Sequence, residues 1–234
     1  MARKTKQEAA ATREHILDTA ERVFSEHGVS RTSLAYIADA AGVTRGAIYW
    51  HFRNKGDLFT ALLDRVALPM EEMVAQAADD HAADPLSSIR ACCVYVLRRT
   101  VRDTQCRRVF EILAHKCEYV DEMHPLVARH MQCRSQGIGM IERALRNAMR
   151  KGQLPRHLQV RRAAVGLHAY VDGLIYNWLL DPRSFALDQD AEALVDQYLQ
   201  GLKSVPAPRR SAARSLQPKP NTAAQRTTEK IERE

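Results

Sequence analysis

The sequence has no long apolar run of the kind that a membrane span or a secretory leader needs. No stretch of about 18 consecutive apolar residues occurs, and residues 1–24 form a charged amphipathic pattern instead of a basic segment followed by an apolar one. These absences predict a protein without membrane contact that stays in the cytoplasm.

Cysteine is sparse, and its spacing is not that of a cross-linked scaffold. The five cysteines are odd in number and lack paired spacing, which argues against a disulfide framework or a zinc ribbon: Cys92, Cys93, Cys106, Cys117 and Cys133. Apolar neighbours of the first two favour buried packing over the alternative of redox sensing, because reactive thiols need exposure and nearby positive charge.

Groupings that carry catalysis or hold a cofactor are also missing. The sequence has no Gly-rich phosphate loop, no nucleophile elbow and no paired carboxylates beyond what surface charge explains. His115, Cys117 and His124 could bind a metal on paper, but the spacing of the first two directs them to different helix faces, and no fourth ligand is evident. We therefore expect no catalytic residue, no cofactor and no metal site.

The net charge of +7 is distributed unevenly along the chain. Residues 1–57 carry +2, residues 58–202 are neutral overall, and residues 203–234 carry +5. The last segment contains four prolines and no aromatic residue, so we expect a disordered basic tail. The charge of this tail could attract DNA non-specifically or simply be solvated, so an argument for DNA binding must rest on the N-terminal sequence.

Apolar residues recur at helical spacing between Pro and Gly residues, and no segment alternates with period two. This pattern predicts an all-α protein, with Pro69 kinking or ending the fourth helix. We expect an N-terminal domain at 1–57 and a larger helical domain at 58–202, followed by the tail. Helices are predicted at about 8–27, 34–41, 45–52, from 55 onwards, 86–102, 106–117, 125–151, 160–180 and 188–202.

A helix-turn-helix pattern fills residues 32–55, TSLAYIADAAGVTRGAIYWHFRNK. Ser33 and Thr44 are candidate N-caps of its two helices, and Gly42 permits the tight turn between them. Helical spacing leaves Arg45 and Tyr49 on the outer side of the second helix, where side chains can reach base edges in the major groove of DNA.

This segment resembles the signature of the TetR family, through TSLAYIADAAGV and TRGAIYWHFRNK. Similarity to the AcrR/TtgR branch of multidrug-efflux repressors extends through RRVFEILAHKCE at 107–118, RKGQLP at 150–155 and AYVDGLIYNWLL at 169–180. The resemblance implies a three-helix DNA-binding domain and a larger C-terminal domain for ligand binding and dimerisation. It also implies a homodimer that binds a palindromic double-stranded operator, is released by a small hydrophobic or aromatic effector, and controls an efflux-pump operon.

The resemblance assigns roles within the helix-turn-helix. Arg45 is expected to read guanine, Gly46 and Ala47 allow close approach, and Tyr49 contacts a thymine methyl group or a phosphate. The alternative for Trp50 and Tyr49 is that they cap a small three-helix core. The predicted contacts to the DNA backbone come from both helices and their flanks: Thr32, Ser33, Thr44, Trp50, His51 and Lys55.

Asp172 stands among residue types that are mostly buried, so its carboxylate should be paired, hydrogen-bonded or facing a polar cavity. A structural ion pair is one reading, and a polar anchor in a ligand cavity, which the resemblance implies, is the other. Relatives often carry polar groups where this chain has Phe110 and Ala114, which suggests a more apolar cavity. The predicted ligand set, besides Asp172, is Val66, Cys92, Cys93, Val96, Phe110, Leu113, Ala114, Ile141, His168, Val171, Ile175 and Tyr176.

Wide apolar stripes on the last two helices are compatible with the dimerisation that the resemblance implies, through a four-helix bundle. The predicted interface consists of Leu167, Leu174, Trp178, Leu194, Tyr198 and Leu202.

The alternatives to an efflux repressor are a regulator of another pathway, an activator, or a small-molecule carrier or enzyme that uses the same cavity.

Overall fold

The computed structural model describes residues 6–116 and 124–206, without the side chains at 77, 124–127 and 129. All regular structure within these ranges is helical, so the predicted all-α class is confirmed. The predicted tail lies outside the described residues from 207 onwards. The elements are α1 Lys6–His27, α2 Leu34–Ala40, α3 Arg45–His51, α4 Lys55–Ala78, α5 Pro85–Arg102, α6 Thr104–Glu111, a π-helical turn at Ile112–Lys116, α7 His124–Arg150, α8 Val160–Leu180 and α9 Leu187–Lys203.

Side-chain caps fix the starts of the N-terminal helices. The Ser33, Thr44 and Asn54 side chains each accept a hydrogen bond from the backbone N–H three residues later, at the starts of α2, α3 and α4. Gly28 ends α1 and Gly42 turns the chain between α2 and α3, both with positive φ (80° and 64°). The helix-turn-helix geometry therefore follows from the local sequence.

Two helix ends differ from prediction. The fourth helix does not end at Pro69, which was one of the two effects predicted for that proline, but continues to Ala78. Packing of α4 along α5 and α7 outweighs the local cost of the proline. The sixth helix was expected to run from 106 to 117, but its α-helical part stops at Glu111 and the π-helical turn follows. A π-helical turn inside a helix often marks a functional position.

Two hydrophobic cores organise the chain. We call the first unit the head, which consists of α1, α2, α3 and α4 as far as Val66, and the second unit the body, which consists of α5 and α7–α9. The predicted division between residues 57 and 58 falls inside α4. Moreover, Cys106, Val109 and Ile112 of α6 and the π-helical turn are buried in the core of the head, although they come much later in the sequence.

None of the described helices is long and apolar enough to cross a membrane.

Candidate functional site

The outer face of α3 is exposed, and the inner face of this helix packs into the core of the head. Ile48 and Phe52 are buried in the core of the head, whereas Tyr49 is 55% exposed and Trp50 is 72% exposed. The Trp50 ring contacts the ring of His51 edge-on, with 4.6 Å between centroids. Because Trp50 is so exposed, it contributes little to the core that it could alternatively have capped. Arg45 and Gly46 are also exposed, one turn before these rings.

Hydrogen bonds within the chain hold Thr32 and Lys55 at the turn between α1 and α2. The Thr32 hydroxyl donates to the Gly28 carbonyl at 2.7 Å, and Thr32 N–H donates to the Val29 carbonyl at 3.4 Å. Thr32 is buried and its hydroxyl stabilises the turn after α1, while the predicted phosphate contact beside it involves the backbone amides at the start of α2 and stays a prediction. Lys55 Nζ donates to the Ser30 carbonyl at 3.1 Å, which holds its positive charge beside the same turn.

A cavity of about 420 Å³ opens between the body and the adjoining segments α4, α6 and the π-helical turn, within the size range of small-molecule sites. It is lined mainly by apolar side chains of α4, α5, α6, the π-helical turn, α7 and α8. The structure brings together at this cavity all the residues of the predicted ligand set, from Val66 on α4 to Tyr176 on α8.

Sequence reasoning missed the wall that α7 contributes, of which it named only Ile141. Further lining residues recur along α7 at spacings of three and four, the period that marks one face of a helix. That period was the available signal, but it could not show that the face borders a void. These residues are His130, Cys133, Arg134, Gly137 and Met140.

Asp172 is less buried than its sequence neighbours suggest. Its side chain is 58% exposed, and its Oδ2 lies 2.8 Å from Nδ1 of His168 in an ion-pair contact. That contact does not have hydrogen-bond geometry, and the buried Nδ1 has no hydrogen-bond partner among the described residues. His130 of α7 lines the same cavity as this pair.

The pKa of His130 and the pKa values of the two cavity thiols are shifted in opposite directions. Burial lowers the pKa of His130, the positive charges of His168 and Arg134 lower it further, and Asp172 opposes them. Burial raises the pKa of Cys92 to about 11 and that of Cys93 to about 12. Both thiols therefore remain protonated near neutral pH, which argues against the alternative of redox sensing.

Several residues of the predicted dimer interface are enclosed by their own chain. Leu167, Trp178 and Leu202 are buried in the core of the body, which leaves them little surface for a partner. Leu174, Leu194 and Tyr198 are only partly buried, but they also pack against that core. Their role in a dimer interface stays a prediction, because helical period alone cannot distinguish an internal core from a partner surface.

The head and the cavity share a boundary at α6 and the π-helical turn. Leu113 and Ala114 line the cavity, while the carbonyl of Lys116 accepts a hydrogen bond from Val29 N–H in the head at 3.1 Å. Glu21 of α1 is buried against α6, with its Oε1 3.5 Å from Nη1 of Arg108. One short segment therefore contacts both the cavity and the turn that precedes α2.

Family models match most of the chain. A model described as bacterial regulatory proteins, tetR family, matches residues 16–62, and one described as MAATS-type transcriptional repressor, C-terminal region, matches residues 84–204.

Named relatives match over nearly their full length. The chain is 45% identical over 210 residues to the HTH-type transcriptional regulator TtgR of Pseudomonas putida, covering 90% of this chain and 100% of that protein. It is 43% identical over 203 residues to the HTH-type transcriptional regulator AcrR of Shigella flexneri, covering 85% of this chain and 94% of AcrR.

Solved structures extend the similarity to the fold. NalD, the secondary repressor of the MexAB-OprM multidrug efflux pump in Pseudomonas aeruginosa, superposes with a TM-score of 0.77 at 37% identity, covering 85% of this chain and 99% of NalD. The SmeT–triclosan complex superposes with a TM-score of 0.76 at 33% identity, covering 85% of this chain and 98% of SmeT. SmeT is the repressor of the Stenotrophomonas maltophilia multidrug efflux pump SmeDEF.

Proposed function

Because the chain belongs to the TetR family of bacterial transcriptional regulators, we propose that it is a cytoplasmic repressor of a multidrug-efflux operon, released from its operator by small hydrophobic or aromatic compounds. The observation that carries this proposal is that an exposed helix-turn-helix and an apolar cavity share one structural boundary. The named relatives and the structures of NalD and SmeT support efflux control as the regulated process.

Recognition of DNA is assigned to the exposed face of α3. Arg45 stands at the start of this helix, with Gly46 beside it, so its guanidinium can reach a guanine edge without steric hindrance. Tyr49 and Trp50 contact the thymine methyl group and the phosphate backbone on either side. A palindromic operator has two half-sites about one helical turn apart, and a homodimer fixes that distance.

The dimer surface is assigned to the outward faces of α8 and α9. Val165 and Leu180 on α8 are large apolar residues that remain exposed in the single chain, and Ala169 between them is small and exposed. These positions replace the buried Leu167 and Trp178 as the apolar contacts, in the four-helix arrangement that the family resemblance implies.

Release is assigned to the boundary at α6 and the π-helical turn. An effector that contacts Leu113 and Ala114 biases the position of the turn that follows α6. Because Lys116 is hydrogen-bonded to Val29, this displacement reaches the segment just before α2. Effector and operator then oppose each other by the same factor in both directions, since the linkage is reciprocal.

The test measures operator affinity with and without triclosan, the compound in the SmeT complex. The duplex is a labelled palindrome that the protein itself selects from a random library. We expect triclosan to weaken operator binding tens-fold, or about 2 kcal/mol. Val96→Trp should fill the cavity and abolish this response with operator affinity intact, and the matched control Leu68→Trp, at an exposed position on α4, should keep both properties.

Triclosan binding that is equally tight with and without operator would contradict release, and would favour a carrier role for the cavity. Absence of any selected duplex would contradict the repressor role itself.

A further inference from the structure

Four polar side chains of α7 and α8 form a cluster at one part of the otherwise apolar cavity. His130 and Arg134 stand one turn apart on α7, and His168 and Asp172 stand one turn apart on α8. All four line the same cavity, and Nδ1 of His168 lies 2.8 Å from Oδ2 of Asp172. We call this group the polar cluster.

The polar cluster contains more hydrogen-bond donors than acceptors. Asp172 already has an opposite partner in His168, at 2.8 Å. Arg134 lines the cavity and makes no ion pair with any described residue, and an arginine guanidinium donates hydrogen bonds without accepting any. The buried Nδ1 of His168 also lacks a hydrogen bond within the described part of the chain. A single anionic oxygen placed between α7 and α8 would be attracted to Arg134 and both imidazoles.

We propose, on the premise that this cavity binds the effector, that its preferred ligands are aromatic acids bound as anions, such as ionised phenols or arene carboxylates. The ionised oxygen lies beside His130 and Arg134, the aromatic ring contacts the apolar wall, and His130 takes up one proton from solvent as the anion binds. A ligand of the same shape without the ionisable group loses this contribution.

The surroundings of His130 give the direction of the pH dependence. In the empty cavity its pKa lies below the usual value of 6.5, so the ring is neutral at pH 7. A bound anion favours the protonated ring and raises the pKa of His130. Affinity for the anion therefore increases as pH falls through the window between the two pKa values, by at most about tenfold per pH unit for one proton.

The other titratable or charged groups that line the cavity come from every helix packed against α7. The thiols of α5 stay protonated, as their raised pKa values require. These groups are Glu71 of α4, Cys92 and Cys93 of α5, Cys133 and Arg134 of α7, and His168, Asp172 and Tyr176 of α8.

The experiment compares pentachlorophenol, which is ionised across the range used, with its methyl ether, which cannot ionise. Calorimetric titrations of the full chain between about pH 6 and about pH 8, each in two buffers of different ionisation enthalpy, give affinity and proton uptake together. We expect the phenolate to bind more tightly than the ether, with binding that tightens as pH falls and with net proton uptake. Binding of the ether should not change with pH.

Three variants test which residues cause the pH dependence and the proton uptake of phenolate binding. His130→Gln should remove the pH dependence and the proton uptake of phenolate binding while leaving ether binding intact, which also shows that the cavity has folded. His81→Gln is a control at an exposed histidine in the turn after α4, and this variant should behave as the parent protein. Asp172→Asn removes the negative charge of the cluster and should tighten phenolate binding, with little effect on the ether.

Equal affinity for the two compounds at every pH, without proton uptake, would overturn the preference for anions and leave the effector cavity standing. Proton uptake that persists in His130→Gln would overturn the assignment to that residue. Failure of both compounds and of triclosan to bind would instead contradict the effector cavity, and the anion preference with it.

Discussion

The head and the body are both helical, but their interiors are filled differently. Ile16, Leu17, Phe24 and Ile48 are completely buried in the head, and side-chain caps fix the starts of α2, α3 and α4. The body borders a cavity of about 420 Å³ through α5, α7 and α8, and neither α8 nor α9 has a side-chain cap at its start. A close-packed unit holds a recognition surface in place, whereas a unit with an unfilled interior can adapt to a ligand.

The comparison predicts that the same truncation has unequal costs in the two regions. Leu17→Ala in the head should lower the free energy of unfolding by about 2 to 5 kcal/mol, because a fully packed site leaves a new void. Ile141→Ala in the cavity wall of the body should cost only about 1 kcal/mol, since its side chain is partly exposed and already borders empty space. Urea denaturation of both variants measures this difference. Similar losses at the two sites would mean that the body is as well packed as the head.

The second prediction concerns what the rigid head presents. Arg45→Ala should cost about 1 to 3 kcal/mol in operator binding and relax base preference, because a base contact is lost. Lys55→Ala should weaken cognate and scrambled duplexes alike and flatten the salt dependence, because its charge serves the phosphate backbone. Binding to single-base operator variants at several salt concentrations separates the two effects. Unchanged discrimination in Arg45→Ala would remove that residue as the base reader.

The third and smallest predicted effect is a change in stability at Glu21, at the boundary between head and body. Burial raises the pKa of Glu21 above its usual value of 4.5, although Arg108 opposes the shift, so the folded state favours the protonated form. Ionised Glu21 therefore destabilises the fold as pH rises through this raised pKa. Glu21→Gln should remove that loss and raise stability near neutral pH by at most about 1 kcal/mol.

Stability curves of Glu21→Gln and the parent protein between about pH 4 and about pH 8 are the measurement, and they should converge at the acidic end. A variant that is less stable than the parent throughout would show that the contact with Arg108 outweighs the burial of the carboxylate.

The features predicted from sequence are those determined by local chemistry. The caps at Ser33 and Thr44 and the turn at Gly42 are short-range, so the helix-turn-helix could be located from its own residues. The cavity positions on α5 and α8 came from family resemblance, because composition cannot distinguish a wall from a core.

The remaining features depend on long-range packing. His130 was missed because the polar residues of α8 that share its cavity, His168 and Asp172, are more than thirty residues away in sequence. Leu167 and Trp178, predicted at the interface, are buried within their own chain, because a helical stripe identifies a buried side without identifying what buries it. Likewise, packing between α4 and α7 decided the course of the helix beyond Pro69.

The burial of Cys106, Val109 and Ile112 in the core of the head limits how this protein can be recombined with its relatives. A chimera that exchanges only residues 1–57 would place these three side chains against a foreign interior, with mismatched volumes as the result. The transferable unit therefore consists of two stretches of chain, the N-terminal segment as far as Val66 and residues 104–116. An engineered repressor that combines a new operator specificity with this sensor must carry both stretches together.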